Sequence, residues 1–177
     1  RVGLARVLVA DVEVIVADNA STDATATVAA DRGCHVAYVE KRVIAAARNG
    51  GAAIAKGEII CFADADMRMH EEAFNTIDEV MQSGLFIGGA TGWRLERMSL
   101  GLRVTELAVR TLLAPFRADG GTIFCRADAF RKIGGYNEER RYAEDVEFFM
   151  AMRRLGKRRG LKTSLENRTP TTVSTRK

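Results

Sequence analysis

Two aspartates one residue apart, Asp64 and Asp66, directly follow a short apolar run in the sequence. The run, Ile59 to Ala63, has the length and β-branched content of a buried strand. Two carboxylates at the end of such a strand are costly to place unless a cation lies between them. Mg²⁺-type ions take oxygen ligands from one or two carboxylates and from substrate phosphates. The Asp-x-Asp pair therefore predicts a divalent cation that carries a diphosphate, with a solvated strand-to-helix turn as the alternative.

A second polar cluster follows another predicted strand, Val12 to Ala17. Ser21 to Asp23 could simply cap the helix predicted for Ala24 to Asp31, since these residue types accept hydrogen bonds from a first helical turn. A cap needs only one such residue, so Asp18 and Asn19 remain to be explained. In open α/β sheets, ligands bind at the carboxyl ends of the strands. We therefore expect Asp18 and Asn19 to contact a ligand.

Arg48 lies in an alanine-rich helix predicted for Ile44 to Lys56, directly before Asn49, Gly50 and Gly51. Each glycine weakens a helix by about 1 kcal/mol relative to alanine. The pair therefore predicts either a close approach of another backbone or a kink. Arg48 could reach a phosphate from this helix, and an ordinary surface arginine is the alternative.

Glu144 and Asp145 open a predicted helix that runs to Leu155. Acidic residues in a first turn are favoured by the helix dipole, and this is the simplest account of the pair.

Strands alternate with helices along the chain, which predicts one α/β domain over residues 1–177 with a largely parallel sheet and flanking helices. The segment Arg94 to Phe116 is predicted as a helix packed on the core, with a basic amphipathic helix at a membrane surface as the alternative. We interpret Leu161 to Lys177 as a loop plus an edge strand. Further strands are expected at Cys34–Val39, Leu85–Thr91 and Thr122–Arg126, and further helices at His70–Gln82 and Asp128–Ile133.

The composition is that of a folded domain, with 47% hydrophobic and 28% charged residues among 177, and no apolar run approaches the roughly 18 residues of a membrane span. The three cysteines lie far apart in strand-like runs and predict reduced core residues, hence a reducing, cytoplasmic compartment. The net charge is +4, and its late cations would either suit the dipole at a helix end or attract an anionic substrate or the cytoplasmic membrane face. Aromatics are only 7% and do not interleave with the basic residues, which argues against nucleic acid.

Three stretches of the chain carry a family resemblance: VEVIVADNASTDAT at 12–25, ARNGGAAIAKGEIICFADAD at 47–66, and GGTIFCRADAFRKIGGYNEERRYAEDVEFFMAMRRLGK at 120–157. In this order and spacing they resemble the nucleotide-sugar glycosyltransferases of family 2. The resemblance implies a Rossmann-like GT-A sheet with flanking helices. It also implies transfer of a sugar, with inversion, from a nucleoside-diphosphate sugar to an acceptor hydroxyl. The acceptor is left open between a saccharide, a lipid-linked sugar and a small molecule.

The resemblance also implies roles for single residues. Asp18 and Asn19 would contact the nucleotide, and Arg48, Asp64 and Glu144 would contact the nucleotide sugar. Asp66 would hold Mn²⁺ or Mg²⁺, and Asp145 would be the catalytic base. Asp119, Gly120 and Gly121 fall where relatives shape the sugar and acceptor pocket. Asn19 stands where many relatives have aspartate, which leaves open which nucleobase the donor carries.

The chain departs from the family at its ends. Relatives begin with an additional strand, so we expect the first strand to be missing and the chain to be incomplete at both ends. Two other functions stay open from the residues: a nucleotidyltransferase of a related α/β fold, and a nucleotide-sugar binding module without catalysis. The nucleotidyltransferase would need a glycine-rich phosphate loop near the start, which is not seen in this sequence, whose start we expect to be missing.

Overall fold

The computed structural model describes residues 12–96, 121–140 and 142–174. Within them, strands and helices alternate only in part, since two strands follow one another between residues 59 and 68 and two helices between residues 127 and 158. The strands are β1 (Ile15–Asp18), β2 (His35–Tyr38), β3 (Ile59–Phe62), β4 (Met67–Arg68), β5 (Phe86–Leu95), β6 (Ile123–Arg126) and β7 (Lys162–Val173). The helices are α1 (Thr25–Asp31), α2 (Ile44–Ile54), α3 (Ala73–Gln82), α4 (Ala127–Ile133) and α5 (Glu144–Arg158). None of the helices in these ranges is long and apolar enough to cross a bilayer.

The strands form a mixed arrangement, so the expectation of a largely parallel sheet is wrong. β1 and β2 pair in parallel, and a second sheet has the order β3-β6-β5-β7-β4. In it, β6 runs antiparallel to both of its neighbours, while β5 and β7 are parallel. Alternation of strands with helices favours parallel pairing only where each helix is a crossover between adjacent strands. Here β6 lies between β3 and β5, both of which precede it in the chain, and the rule does not apply.

The C-terminal segment differs most from its prediction. Lys162 to Val173 forms the long strand β7, which pairs with β5 along its length and with β4 at its far end. The segment predicted as a helix from Arg94 begins instead as strand, since Arg94 and Leu95 belong to β5. Residues 97–116 of that segment lie outside the described residues. Polar, threonine-rich sequences are compatible with strand, and a long-range partner decided the outcome here.

The main core lies between the second sheet and helices α4 and α5. It is closed by an aromatic cluster of Phe62, Phe130, Tyr136 and Phe148, in which the Tyr136 and Phe148 rings stack at 4.3 Å between centroids. On the opposite face of this sheet, α3 packs Ile77 and Met81 against Phe124. The three cysteines are free; Cys125 is buried in the core as expected, whereas Cys34 and Cys61 are half-buried. Burial raises the pKa of the Cys61 thiol to about 12.

The two glycines of α2 face side chains and not another backbone, so the predicted close approach of a backbone is not observed. A Cβ on Gly50 would lie 2.4 Å from Cγ2 of Val39, just beyond β2, and one on Gly51 would lie 3.4 Å from Cβ of Ala17 in β1. Helix α2 therefore packs directly onto β1 and β2. This packing fixes where the neighbouring Arg48 and Asn49 project.

Candidate active site

A small cleft brings together four of the residues that the sequence singles out. Arg48 from α2, Asp64 from the end of β3, Gly121 and Asp145 from the first turn of α5 all line it. The remaining lining residues are Phe62, Met67 and Ile123. The site is thus assembled at the carboxyl end of β3 and the amino end of α5, although these elements are far apart in the chain.

The Arg48 guanidinium is the centre of this cleft. Its Nη1 donates to Oε1 of Glu144 at 3.1 Å and to Oδ1 of Asp145, and its Nη2 donates to Oδ1 of Asp64 at 2.9 Å. The Arg48 and Glu144 side chains are 13% and 12% exposed, whereas Asp145 and Asp64 are 41% and 47% exposed. The two more open carboxylates are therefore the ones that a ligand could reach.

Burial and charge act in opposite directions on this cluster. Burial disfavours the charged form of Arg48, but the negative charge of Asp145 and other neighbours outweighs it, and the pKa of Arg48 is raised. Burial is also the largest influence on Asp145 and raises the pKa of its carboxyl, with Glu144 and Asp64 adding to the effect and Arg48 opposing it. Asp145 is therefore a better proton acceptor than an ordinary aspartate.

Tyr136 and Asn49 hold Arg48 in position. The guanidinium lies 5.2 Å from the centroid of the Tyr136 ring, within the range of a cation–π contact. The Asn49 side chain accepts from the Tyr136 backbone N–H at 2.8 Å and donates to the Tyr136 carbonyl at 2.9 Å. It also donates to Glu138 at 3.0 Å, whose carboxylate bonds Lys41 at 2.8 Å. Helix α2 and the turn before α5 are thus held together around the cleft.

Asp18 and Asn19 lie at the end of β1 and do not line the cleft. Asp18 is buried, and its Oδ1 accepts from the Ser21 backbone N–H at 3.1 Å. Oδ1 of Asn19 is buried without a hydrogen-bond partner in the described part of the chain. The Asp23 carboxylate accepts from the Thr25 backbone N–H at 3.0 Å. The cap position of α1 is Ala24, however, and no side chain in the described ranges makes the cap hydrogen bond, so the capping interpretation of Ser21 to Asp23 is wrong. The Asn19 oxygen is therefore the unsatisfied acceptor of this loop.

Two alanines with left-handed backbone flank the site residues. Ala20, after Asn19, has a φ of 53°, and Ala143, before Glu144, has a φ of 57°. They are the non-glycine residues of the described ranges with positive φ. Such a conformation costs about 1–2 kcal/mol for a residue with a Cβ, and strain of this kind gathers at functional sites. At Ala143 it sets the direction in which the chain enters α5.

Asp66 is exposed, and no hydrogen bond or ion pair engages its carboxylate within the ranges described. Across the described residues, no group of three or more His, Cys, Asp or Glu side chains is placed to hold a metal ion. Nδ1 of the nearby His70 instead accepts from the Glu72 backbone N–H at 3.2 Å. Asp66 is thus a free hard-oxygen donor beside the cleft.

Gly121 forms part of the cleft wall, and Asp119 and Gly120 lie outside the described residues. A Cβ on Gly121 would lie 2.1 Å from the carbonyl oxygen of Thr91. Beneath it, the Thr91 and Thr122 hydroxyls both contact the Thr171 hydroxyl, at 2.8 and 3.0 Å, in a fully buried cluster. The glycine is required because β5 approaches it too closely for any side chain.

Sequence reasoning missed Asn49, Tyr136 and Ala143 as parts of the site. Asn49 could have been noticed, because asparagine is a poor helix former. Its presence beside Arg48, in a helix that already contains two glycines, indicates that this position has a role other than forming the helix. No signal in the sequence pairs it with Tyr136, because the two residues are joined only by tertiary structure. The left-handed backbone of Ala143 also has no sequence signal, as alanine disfavours it.

The family profile described as "Glycosyl transferase family 2" matches residues 3–163. The chain belongs to glycosyl transferase family 2. Comparison with curated proteins gives no match. The solved structures that resemble this family 2 chain include a mannosyltransferase and a glucosyl-3-phosphoglycerate synthase, and the fold is the GT-A fold that the resemblance implied.

Three of these structures show the extent of the likeness. TarS of S. aureus in complex with UDP-GlcNAc has a TM-score of 0.72 at 17% identity, covering 93% of this chain and 50% of that chain. A mannosyltransferase of Pyrobaculum calidifontis, in complex with GDP-Man and Mn²⁺, has a TM-score of 0.70 at 18% identity, covering 93% of this chain and 48% of that chain. Glucosyl-3-phosphoglycerate synthase of Mycobacterium tuberculosis, in complex with Mn²⁺, UDP and glucosyl-3-phosphoglycerate, has a TM-score of 0.68 at 20% identity, covering 93% of this chain and 62% of that chain. The chain spans about half the length of the TarS structures it matches.

Proposed function

We propose that this cleft transfers a sugar from a nucleoside-diphosphate sugar to an acceptor hydroxyl, with inversion at the anomeric carbon. The observation that carries the proposal is the position of Asp145. It lines a cleft with Asp64, is partly open to solvent, and has a pKa that burial raises. Membership of family 2 and the GT-A fold support the same activity, the transfer of a sugar from a nucleotide-sugar donor.

Asp145 would act as the general base. An acceptor hydroxyl must lose its proton as it attacks the anomeric carbon, and a carboxylate within hydrogen-bond reach can take it. Only Oδ1 of Asp145 is bonded to Arg48, and Oδ2 has no partner in the described part of the chain. One oxygen therefore remains for the acceptor. A single displacement from the face opposite the leaving diphosphate would invert the anomeric centre.

Asp18, Asn19 and Asp64 would bind the donor. The unsatisfied Oδ1 of Asn19 can accept a hydrogen bond from an N–H of the nucleobase or from a ribose hydroxyl. Asp64 lines the cleft and would face the ribose or the sugar. Gly121, together with Asp119 and Gly120, would shape the sugar and acceptor pocket. The complexes with UDP-GlcNAc, GDP-Man and UDP among similar structures support a nucleotide-sugar donor of some kind.

Asp66 fits a divalent metal. Its exposed carboxylate is a hard oxygen ligand of the type that Mn²⁺ and Mg²⁺ take, and these ions commonly complete their coordination with substrate phosphates and water. A bound metal would offset the charge that develops on the leaving nucleoside diphosphate. Mn²⁺ is present in two of the similar structures, which supports a metal of this class.

The basic residues at the end of α5 support a second partner, an anionic membrane surface, with the protein in the cytoplasm. The basic residues of the later part of α5 have no ion-pair partner within the described ranges: Arg153, Arg154, Lys157 and Arg158. No acidic residue lies between 148 and 165 to neutralise them. Co-sedimentation with phosphatidylglycerol vesicles should fall when Arg154, Lys157 and Arg158 are changed to glutamine, and binding that is unchanged would refute this contact.

The donor class is tested by calorimetric titration of UDP, GDP, dTDP and CDP with and without Mn²⁺. We expect one of them to bind in a metal-dependent manner, and Asp66→Ala to weaken that binding at least tenfold. Arg140→Gln, an exposed ion-pair residue of the turn before α5, is the control and should bind as the wild type does. A folded protein that binds none of the four diphosphates would contradict the proposal.

A further inference from the structure

Every hydrogen bond of the Arg48 guanidinium in the described part of the chain goes to a carboxylate of the protein. A guanidinium has five N–H donors in a rigid fork. Here Nη1 serves Glu144 and Asp145, and Nη2 serves Asp64. Three of the five donors are therefore engaged by carboxylates, and the Nε N–H and the second Nη2 N–H remain for any other contact. The expectation that Arg48 contacts the nucleotide sugar therefore has to be weighed against the partners it already has.

The guanidinium is held rigidly in this arrangement. Its side chain is only 13% exposed and lies over the Tyr136 ring. The backbone of Tyr136 is in turn fixed by two hydrogen bonds to Asn49, which follows Arg48 in α2. Rotation of Arg48 toward a ligand would break three ion pairs and leave Glu144, 12% exposed, as an unpaired carboxylate. An unpaired buried charge is among the costliest groups in a protein.

Charge also argues against a phosphate contact. Three carboxylates surround one guanidinium, so the cluster as a whole is negative when all are ionised. A diphosphate that approached it would meet net repulsion. The positive charge that a diphosphate requires must then come from elsewhere, and Asp66 with a bound cation is the group beside the cleft that could supply it.

We infer that Arg48 is a positioning residue, which holds Asp145 and Asp64 in fixed relation across the cleft, rather than a ligand of the donor phosphates. This inference rests on the proposed function, in which Asp145 is the base and Asp64 faces the donor. By bonding Oδ1 of Asp145, Arg48 fixes the direction of the free Oδ2. By bonding Asp64 from the same fork, it sets the distance between the donor side and the base.

A positioning role and a phosphate-binding role of Arg48 predict different effects on the affinity for the diphosphate and on turnover. We would compare the wild type with Arg48→Lys, Arg48→Gln and Asp66→Asn. The first readout is the Kd of the nucleoside diphosphate that binds the wild type in the presence of Mn²⁺. The second is release of that diphosphate from its sugar nucleotide at saturating donor concentration. Arg48→Lys keeps the charge but has no fork, so it cannot hold two carboxylates in one plane.

A positioning role predicts that both Arg48 variants keep the diphosphate Kd within about threefold of the wild type, while Asp66→Asn loses at least tenfold. It also predicts that turnover at saturating donor falls about 100-fold in Arg48→Lys, the usual effect of a misplaced catalytic group. Arg140→Gln, which removes the same charge from an exposed pair, should leave both readouts unchanged.

A phosphate-binding role predicts the opposite pattern and would overturn the inference. Affinity would fall at least tenfold in Arg48→Gln and by less in Arg48→Lys, and turnover at saturating donor would stay near the wild-type value. If Arg48→Gln does not fold, Arg48→Lys alone still distinguishes the two roles. A wild-type protein that binds no diphosphate would instead contradict the proposed function itself, so the two failures are distinguishable.

Discussion

Asn49→Ala should destabilise the protein by about 2–4 kcal/mol, because it removes the two hydrogen bonds that join α2 to the turn that carries Tyr136. Tyr136 is 2% exposed, and its backbone N–H and carbonyl both lose a partner that water cannot easily replace. Each buried backbone group left without a partner costs about 1–3 kcal/mol. The third bond, to Glu138, counts for little because that carboxylate keeps Lys41.

The assay is equilibrium unfolding in urea, supported by thermal unfolding. For a chain of 177 residues, the loss corresponds to a fall in Tm of about 4–16 °C. Lys41→Gln is the matched control, since it removes an exposed ion pair to the same turn and should cost less than about 1 kcal/mol. Asn49→Asp should be at least as destabilising as Asn49→Ala at neutral pH, because a carboxylate cannot donate to the Tyr136 carbonyl. A loss below about 0.5 kcal/mol in Asn49→Ala would refute this account of the turn.

Three further predictions concern the cleft. Ala143→Gly relieves the left-handed backbone and should be neutral or stabilising by up to about 1 kcal/mol, whereas Ala151→Gly inside α5 should cost about 1 kcal/mol in the same urea assay. Burial raises the pKa of Asp145 above its ordinary 3.8, so its ionisation destabilises the fold as pH rises through that window. Asp145→Asn should therefore unfold at higher urea than the wild type at pH 7, with the difference closing toward pH 4, and an equal difference at both pH values would contradict this. Gly121→Ala places a Cβ against the Thr91 carbonyl and should cost about 3 kcal/mol or abolish soluble expression, while Gly33→Ala, which meets open space, should cost about 1 kcal/mol.

The elements of the fold were predictable where the local pattern was strong. The apolar runs that became β1, β2, β3 and β6 and the amphipathic helix α3 were all expected within a few residues of their observed bounds. The pairing of strands was not, because it depends on which segments meet in space. β7 illustrates this, since its polar residues acquire a strand conformation from the partner β5 along nearly its whole length.

The candidate site was predictable as a set of residue types and not as a network. Asp64 was expected to contact the nucleotide sugar and Asp145 to be the catalytic base, and the structure places both in one cleft. That Arg48 would bond to both could not be read from residues separated by nearly a hundred positions. Asp119 and Gly120 lie outside the described residues, and their expected role stays a prediction.

The central claim is that Asp145 is the base of a sugar transfer, and one comparison tests it most directly. Wild type and Asp145→Asn are titrated with the nucleoside diphosphate that binds in the presence of Mn²⁺, and both are assayed for its release from the sugar nucleotide at saturating donor. We predict that Asp145→Asn binds the diphosphate within about threefold of the wild type and releases it at least 100-fold more slowly. Release at the wild-type rate by a variant that binds normally would contradict the claim.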